Sequence, residues 1–226
     1  MANNTKTELL ADAPQQLQKG LAKMQGSTVS DNLPEFQEIL ARWIQIHREA
    51  GKLLRWSDCM WWYGERSSIG ALAAAVWKSG GTALEEYTTH KGLNSRSYRG
   101  RCDLRIWHNS LKYTIEAKQI WPGIGNPSQQ HANQIKNALE EADGDLRKNK
   151  PDDSVQLGVV FASPSLPDTR SVQVSEAIEA WIDTAGSVEA DAKAWIFPEQ
   201  ARQLRADEED KIYPGTMMLV RRFDGP

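Results

Sequence analysis

The chain is poor in three things, and each shortage narrows what it can be. Only two cysteines, Cys59 and Cys102, occur in 226 residues. That is too few for a disulfide framework, so the fold must rest on a packed core in which both thiols read as reduced residues. No basic-then-apolar segment opens the chain, and its longest apolar run, Ile69 to Trp77, is about half a membrane span. A cytoplasmic protein with no membrane partner is therefore expected. An excess of one charge is also missing: the formal net charge is −3, with 25% of residues charged. Any contact with a polyanion must then come from a local patch rather than the whole surface. With 40% apolar residues the chain can bury one substantial core.

The most informative stretch runs from Gly100 to Lys118. Residues 101 to 107 and 111 to 118 alternate with period two around Asn109-Ser110, which predicts a hairpin with a two-residue loop. Such a loop sets the register so that facing positions have numbers summing to 219. Cys102, Leu104 and Ile106 then face Ala117, Ile115 and Tyr113 on an apolar side. On the other side Asp103 faces Glu116, and Arg101 faces Lys118. A hairpin selected for stability alone places opposite charges across the ladder, because like pairs are destabilising by a few tenths of a kcal/mol or more. Diagonal attraction between Asp103 and Lys118 offsets part of this. Two converging carboxylates beside two cations are better explained if a divalent metal neutralises the acids and an anion occupies the basic end.

Asp103, followed by Glu116-Ala117-Lys118 at the end of the next strand, resembles the PD-(D/E)XK nuclease superfamily, the restriction-endonuclease-like fold. Cys102 stands where that superfamily usually has a proline. The resemblance implies an α/β fold with an αβββαβ core, a mixed central sheet flanked by helices, over about 58–163. An N-terminal helical extension and C-terminal α/β additions would complete a single domain over 33–226. It also implies Asp103, Glu116 and Lys118 as catalytic residues, with Mg²⁺, or Mn²⁺ in its place, held by Asp103 and Glu116. In the superfamily a Glu on the helix before the sheet often completes the metal site, which points to Glu65. Glu85 and Glu86 compete for that place, and a first-turn Glu favoured by the helix dipole explains Glu65 equally well.

The rest of the chain supplies the context. Residues 1 to 32 are polar and read as a loose arm or one marginal helix. From Pro34, Phe36, Ile39, Leu40, Trp43 and Ile44 recur at helical spacing. A second helix over about 58 to 78 would bury Trp62, Ile69, Leu72 and Val76 with Ala73 and Trp77 beside them, and Glu65 on the same stripe. Gly80-Gly81 ends it, and Thr82 to Thr89 reads as a strand. Trp121 to Pro127 is a rigid turn, and a helix over about 128 to 148 buries Ala132, Ile135, Leu139, Ala142 and Leu146. Val155 to Phe161 has the near-continuous apolar character of a central strand. Ser175 to Thr184 then reads as a helix, Ala194 to Phe197 as a strand, Glu199 to Asp210 as a polar helix, and Thr216 to Phe223 as a last strand.

Between Thr88 and Lys118 seven basic residues stand against two acids. Arg96, Tyr98, Arg99 and Arg101 lead into the hairpin from a Gly- and Ser-containing loop, and they are the candidate nucleic-acid contacts, with cations for phosphates and Tyr98 for stacking. The expectation is a metal-dependent endo- or exodeoxyribonuclease of the kind used in restriction, phage defence or repair. DNA is the first substrate and RNA an open one. A nucleic-acid- or protein-binding module that keeps the fold without catalysis is the alternative. A homodimer or larger complex is compatible with either.

Overall fold

The computed structural model describes residues 24–92, 98–124, 129–149, 152–167, 174–204 and 211–224. In chain order these form β1 (Gln25–Val29), α1 (Phe36–Leu53), a 3-10 turn (Met60–Trp62), α2 (Glu65–Lys78), β2 (Thr82–Lys91), β3 (Tyr98–His108) and β4 (Leu111–Ile120). There follow α3 (Gln129–Leu146), β5 (Val155–Ala162), β6 (Leu166–Pro167), α4 (Val174–Gly186), β7 (Ala192–Ile196), a 3-10 turn (Glu199–Gln203), β8 (Lys211–Ile212) and β9 (Thr216–Phe223). Seven strands form one mixed sheet in the order β1-β7-β9-β5-β4-β3-β2, and β6 and β8 pair separately. All neighbours in the large sheet are antiparallel except β4 and β5, which run parallel across the α3 connection.

Hydrophobic patterning explains the layers. Odd positions of β5, Leu157, Val159 and Phe161, join Leu104, Ile106, Tyr113, Ile115 and Ala117 against α1 and α2. Its even positions, Val160 and Ala162, meet Ile135 and Leu139 of α3 and Ile178, Trp181 and Ile182 of α4 on the opposite face. The strand at the centre of the sheet is thus buried on both sides, as its unbroken apolar run predicts. All five apolar positions expected of α3 are buried, and the strand expected over Thr216 to Phe223 is β9.

Other expectations shift, for physical reasons. The second helix begins at Glu65 rather than near residue 58, because Gly64 takes φ 127, a conformation that ends regular structure and suits glycine alone. Before it, Trp61 is buried with its indole N–H donating to the Tyr213 carbonyl at 2.9 Å, which holds the chain in the 3-10 turn. Trp62 therefore lies outside the helix. Trp77 is not on the buried stripe either and is 56% exposed. The last part of the expected polar arm is the edge strand β1, which pairs with β7; residues 1–23 lie outside the described residues. Glu199 to Gln203 is a single 3-10 turn that gives way to extended backbone at Leu204, and residues 205–210 of the polar helix expected there fall outside the described residues. The turn from Trp121 is described as far as Ile124.

The hairpin is as expected at its tip and different at its open end. Asn109 and Ser110 both have positive φ, 49° and 64°, as a twist-compatible two-residue loop requires. The ladder runs from His108–Leu111 to Leu104–Ile115, in the register that sums to 219. There it stops. Among the described residues the first half of β3 continues with β2, through to Lys91–Tyr98, and the pairing lapses only at Glu86, φ 50°, opposite Asp103, with no change of register.

Candidate active site

The place where β3 leaves β4 is also where the acids lie. A strand whose partner departs presents unpaired amides, and buried ones need another acceptor. Asp103 Oδ2 accepts from the Ala117 N–H at 2.7 Å, and Glu65 Oε2, from the first turn of α2, accepts from the Gln119 N–H at 3.2 Å. These amides are two residues apart and point to the same edge of β4. Two carboxylates from different elements thus take over the ladder that β3 abandons. Cys102 Sγ, the residue before Asp103, donates to the Ile115 carbonyl at 3.1 Å.

Glu116 and Lys118 project from β4 on the side covered by α3. Glu116 is 3% exposed, and its Oε1 accepts from Lys91 Nζ at 2.7 Å and from Asn149 Nδ2 at 3.0 Å. Lys118 Nζ donates to Asp145 Oδ2 of α3 at 2.6 Å, and the other oxygen of Asp145 takes Lys148. The acids sense one another. Burial pushes the Glu116 carboxyl above the usual range, and the charge of Asp103 adds to the rise against the opposing bonds from Lys91 and Asn149. Glu65 is raised first by burial and then by Asp103, with Lys118 and the Gln119 amide opposing. Burial pulls the Lys118 ammonium down, but the Asp145 hydrogen bond and the charges of Asp145, Glu65 and Asp103 outweigh it. Its pKa ends above the ordinary lysine value.

Asp103, Glu116, Lys118 and Glu65 are therefore electrically coupled around the end of β4, and the element order before and after them is helix, three strands, helix, strand. No family model and no curated protein matches the chain.

Several expected residues lie elsewhere. Neither Asp103–Glu116 nor Arg101–Lys118 is a ladder pair, because the ladder ends at Leu104–Ile115: Asp103 turns to the Ala117 amide, and the Arg101 guanidinium pairs with Glu86 at 3.1 Å. Glu86 also pairs with Arg66 at 3.0 Å, and Glu85 is exposed, so neither competitor for the third acid is seen to join the cluster. Arg105 is buried against Asp152 at 2.8 Å, and Lys112 binds Asp152 and Asp153. Much of the local positive excess is thus already paired with acids of the same chain, Arg105 in the interior and Arg101 and Lys112 nearer the surface. Tyr98 and Arg99 are exposed on β3, and Arg96 lies outside the described residues. Three partners were missed in the sequence: Lys91, Asn149 and Asp145, all brought in by β2 or by the end of α3.

The donor set suits a hard divalent ion in chemistry, since Asp103 and Glu116 offer carboxylate oxygens and the Ala117 carbonyl shares the abandoned edge of β4. Asp103 Oδ1, Glu65 Oε1 and Glu116 Oε2 have no hydrogen-bond partner among the described residues. Among those same residues, no group of three or more His, Cys, Asp and Glu stands close enough together to hold a metal. The fit is to two carboxylates, with Glu65 holding backbone alongside. Among the described residues no helix is long and apolar enough to cross a membrane.

Proposed function

We propose that the protein is a metal-dependent nuclease that hydrolyses phosphodiester bonds in DNA. The observation that carries the reading is the break in the β3–β4 ladder. Where the ladder ends Asp103 takes the place of a strand partner, the buried Glu116 is raised by the charge of Asp103, and Lys118 follows two residues on. Like charges held together in a site shielded from water mark functional arrangements more often than structural ones. The element order of α2, β2, β3, β4, α3 and β5 supports the resemblance to the PD-(D/E)XK superfamily.

In this reading Asp103 and Glu116 hold Mg²⁺, or Mn²⁺ in its place, with the Ala117 carbonyl as a further ligand. The ion supplies charge stabilisation at the phosphoryl oxygens. Glu65 holds the Gln119 amide and so keeps the edge of β4 in place. Lys118, kept protonated by its acidic neighbours, binds a non-bridging phosphate oxygen or orients the attacking water through Nζ. Tyr98 and Arg99 on the exposed part of β3 contact the flanking strand by stacking and by phosphate pairing.

One observation favours a binding module without catalysis: Glu116 and Lys118 each already have an ionic partner, and those pairs must open before either group can act. Incubation of the purified protein with supercoiled plasmid, linear duplex, single strands and RNA, with and without Mg²⁺, separates the readings. Mg²⁺-dependent cleavage of DNA supports the nuclease. Retained DNA binding with no hydrolysis in Mg²⁺ or Mn²⁺ supports the module, and cleavage confined to RNA reassigns the substrate.

A further inference from the structure

Lys91 stands apart from every residue the sequence pattern selected for the site, yet its ion pair with Glu116 is more deeply buried than the Lys118–Asp145 pair. Its side chain is 12% exposed, that of Glu116 is 4% exposed, and the two charges meet at 2.7 Å. The arrangement is built rather than incidental. Lys91 and Asn149 form a backbone bridge, and the next amide, Gly92 N–H, donates to the Lys148 carbonyl at 2.7 Å. The end of β2 is thereby tied to the end of α3. Gly100 of β3 leaves room for the lysine stem: a Cβ there would come within 2.7 Å of Lys91 Cγ and Cδ. Asn149 donates to the same Glu116 oxygen, and its own Oδ1 is buried with no partner among the described residues, an acceptor open to a displaced ammonium.

A buried carboxylate beside a second carboxylate needs a cation, and one site cannot hold two at full strength. We propose that Lys91 is the resident counterion of Glu116 and competes with the divalent ion for that carboxylate, so that metal binding requires Lys91 to be displaced. This rests on the metal-site reading above and adds a regulatory element to it: metal affinity is set by a lysine on β2 as well as by the acids.

The test is direct binding of Mn²⁺ alone, followed by electron paramagnetic resonance of the free ion, to wild type, Lys91→Met and the double variant Lys91→Met with Glu116→Gln. Lys91→Met is expected to bind about tenfold or more tightly than wild type, since it leaves a buried charge uncompensated. The double variant is expected to lose that gain. Wild-type binding with equal or weaker binding in Lys91→Met overturns the competition while leaving the metal site standing. Binding in neither protein overturns both. Should Lys91→Met fail to fold, wild type labelled at lysine ¹⁵Nζ answers the same question. The Lys91 ammonium resonance is expected to move as Mg²⁺ is added, and a resonance that stays fixed while Mn²⁺ binds contradicts the proposal.

Discussion

Asp103 has two separable jobs, and paired substitutions distinguish them. As a structural group its Oδ2 holds the Ala117 amide, on a residue with no solvent exposure, at the point where β3 no longer can. Asp103→Ala removes a hydrogen bond to a charged acceptor and leaves a buried N–H without a partner. The cost is about 2 kcal/mol, and in a domain of this size that lowers Tm by roughly 4–8 °C. Asp103→Asn keeps an amide oxygen able to accept the same bond. It loses only the charge assistance, about 1 kcal/mol, and removes the repulsion that raises Glu116 and Glu65. It is expected to unfold close to wild type while the Glu116 titration moves to lower pH and cleavage is lost. Urea and thermal unfolding give the stabilities, and carboxyl ¹³C NMR gives the titration. Equal destabilisation by Ala and Asn, or no effect of Ala, would refute the claim that this carboxylate substitutes for a ladder partner.

Other parts of the fold make independent predictions. His47 is buried between Trp43 and Trp61 with neither ring nitrogen bonded among the described residues, and burial lowers its pKa to about 3. The folded state therefore binds fewer protons than the unfolded one between the ordinary histidine pKa and about 3. Stability should fall as pH drops through that window, by up to about 1.4 kcal/mol per pH unit. Chemical denaturation across that range should show His47→Leu with a shallower acid limb. Gly158 of β5 lies under α3, where a Cβ would come within 2.8 Å of Asp143 Oδ1. Gly158→Ala should cost about 1–3 kcal/mol in unfolding experiments, while Gly144→Ala, where a Cβ meets nothing, should not destabilise. Lys118→Gln should unfold within roughly 1 kcal/mol of wild type, because the Lys118–Asp145 pair is partly exposed, yet lose cleavage.

How far the sequence could be read depended on whether the deciding interactions were local. The register of the hairpin followed from a two-residue loop and period-two patterning, both local, and holds from His108 to Leu104. Its extension to Arg101 assumed that β3 and β4 stay paired to their ends. Past Leu104, Asp103 takes the Ala117 amide while β3 stays paired with β2, and no alternation pattern encodes that choice. The central burial of β5 was visible because both its faces are apolar, and the stripe of α3 because its spacing is regular. Lys91, Asp145 and Asn149 were not visible, since each reads alone as solvated polarity and becomes part of the site only when α3 returns over the sheet. Conversely, the count of basic residues around the hairpin did not show which are already paired: Arg105 is buried against Asp152, and Lys112 pairs with Asp152 and Asp153 nearer the surface.

The central claim is that the crowded acids at the break in the β3–β4 ladder serve chemistry rather than packing. The most direct measurement is Mg²⁺-dependent cleavage of plasmid DNA by wild type and Glu116→Gln, two proteins nearly identical in shape, with circular dichroism confirming that both are folded. The account predicts hydrolysis by wild type that disappears without Mg²⁺ and is lost in Glu116→Gln. Equal, undiminished cleavage by the two proteins, or no hydrolysis by folded wild type in Mg²⁺ or Mn²⁺, would contradict it.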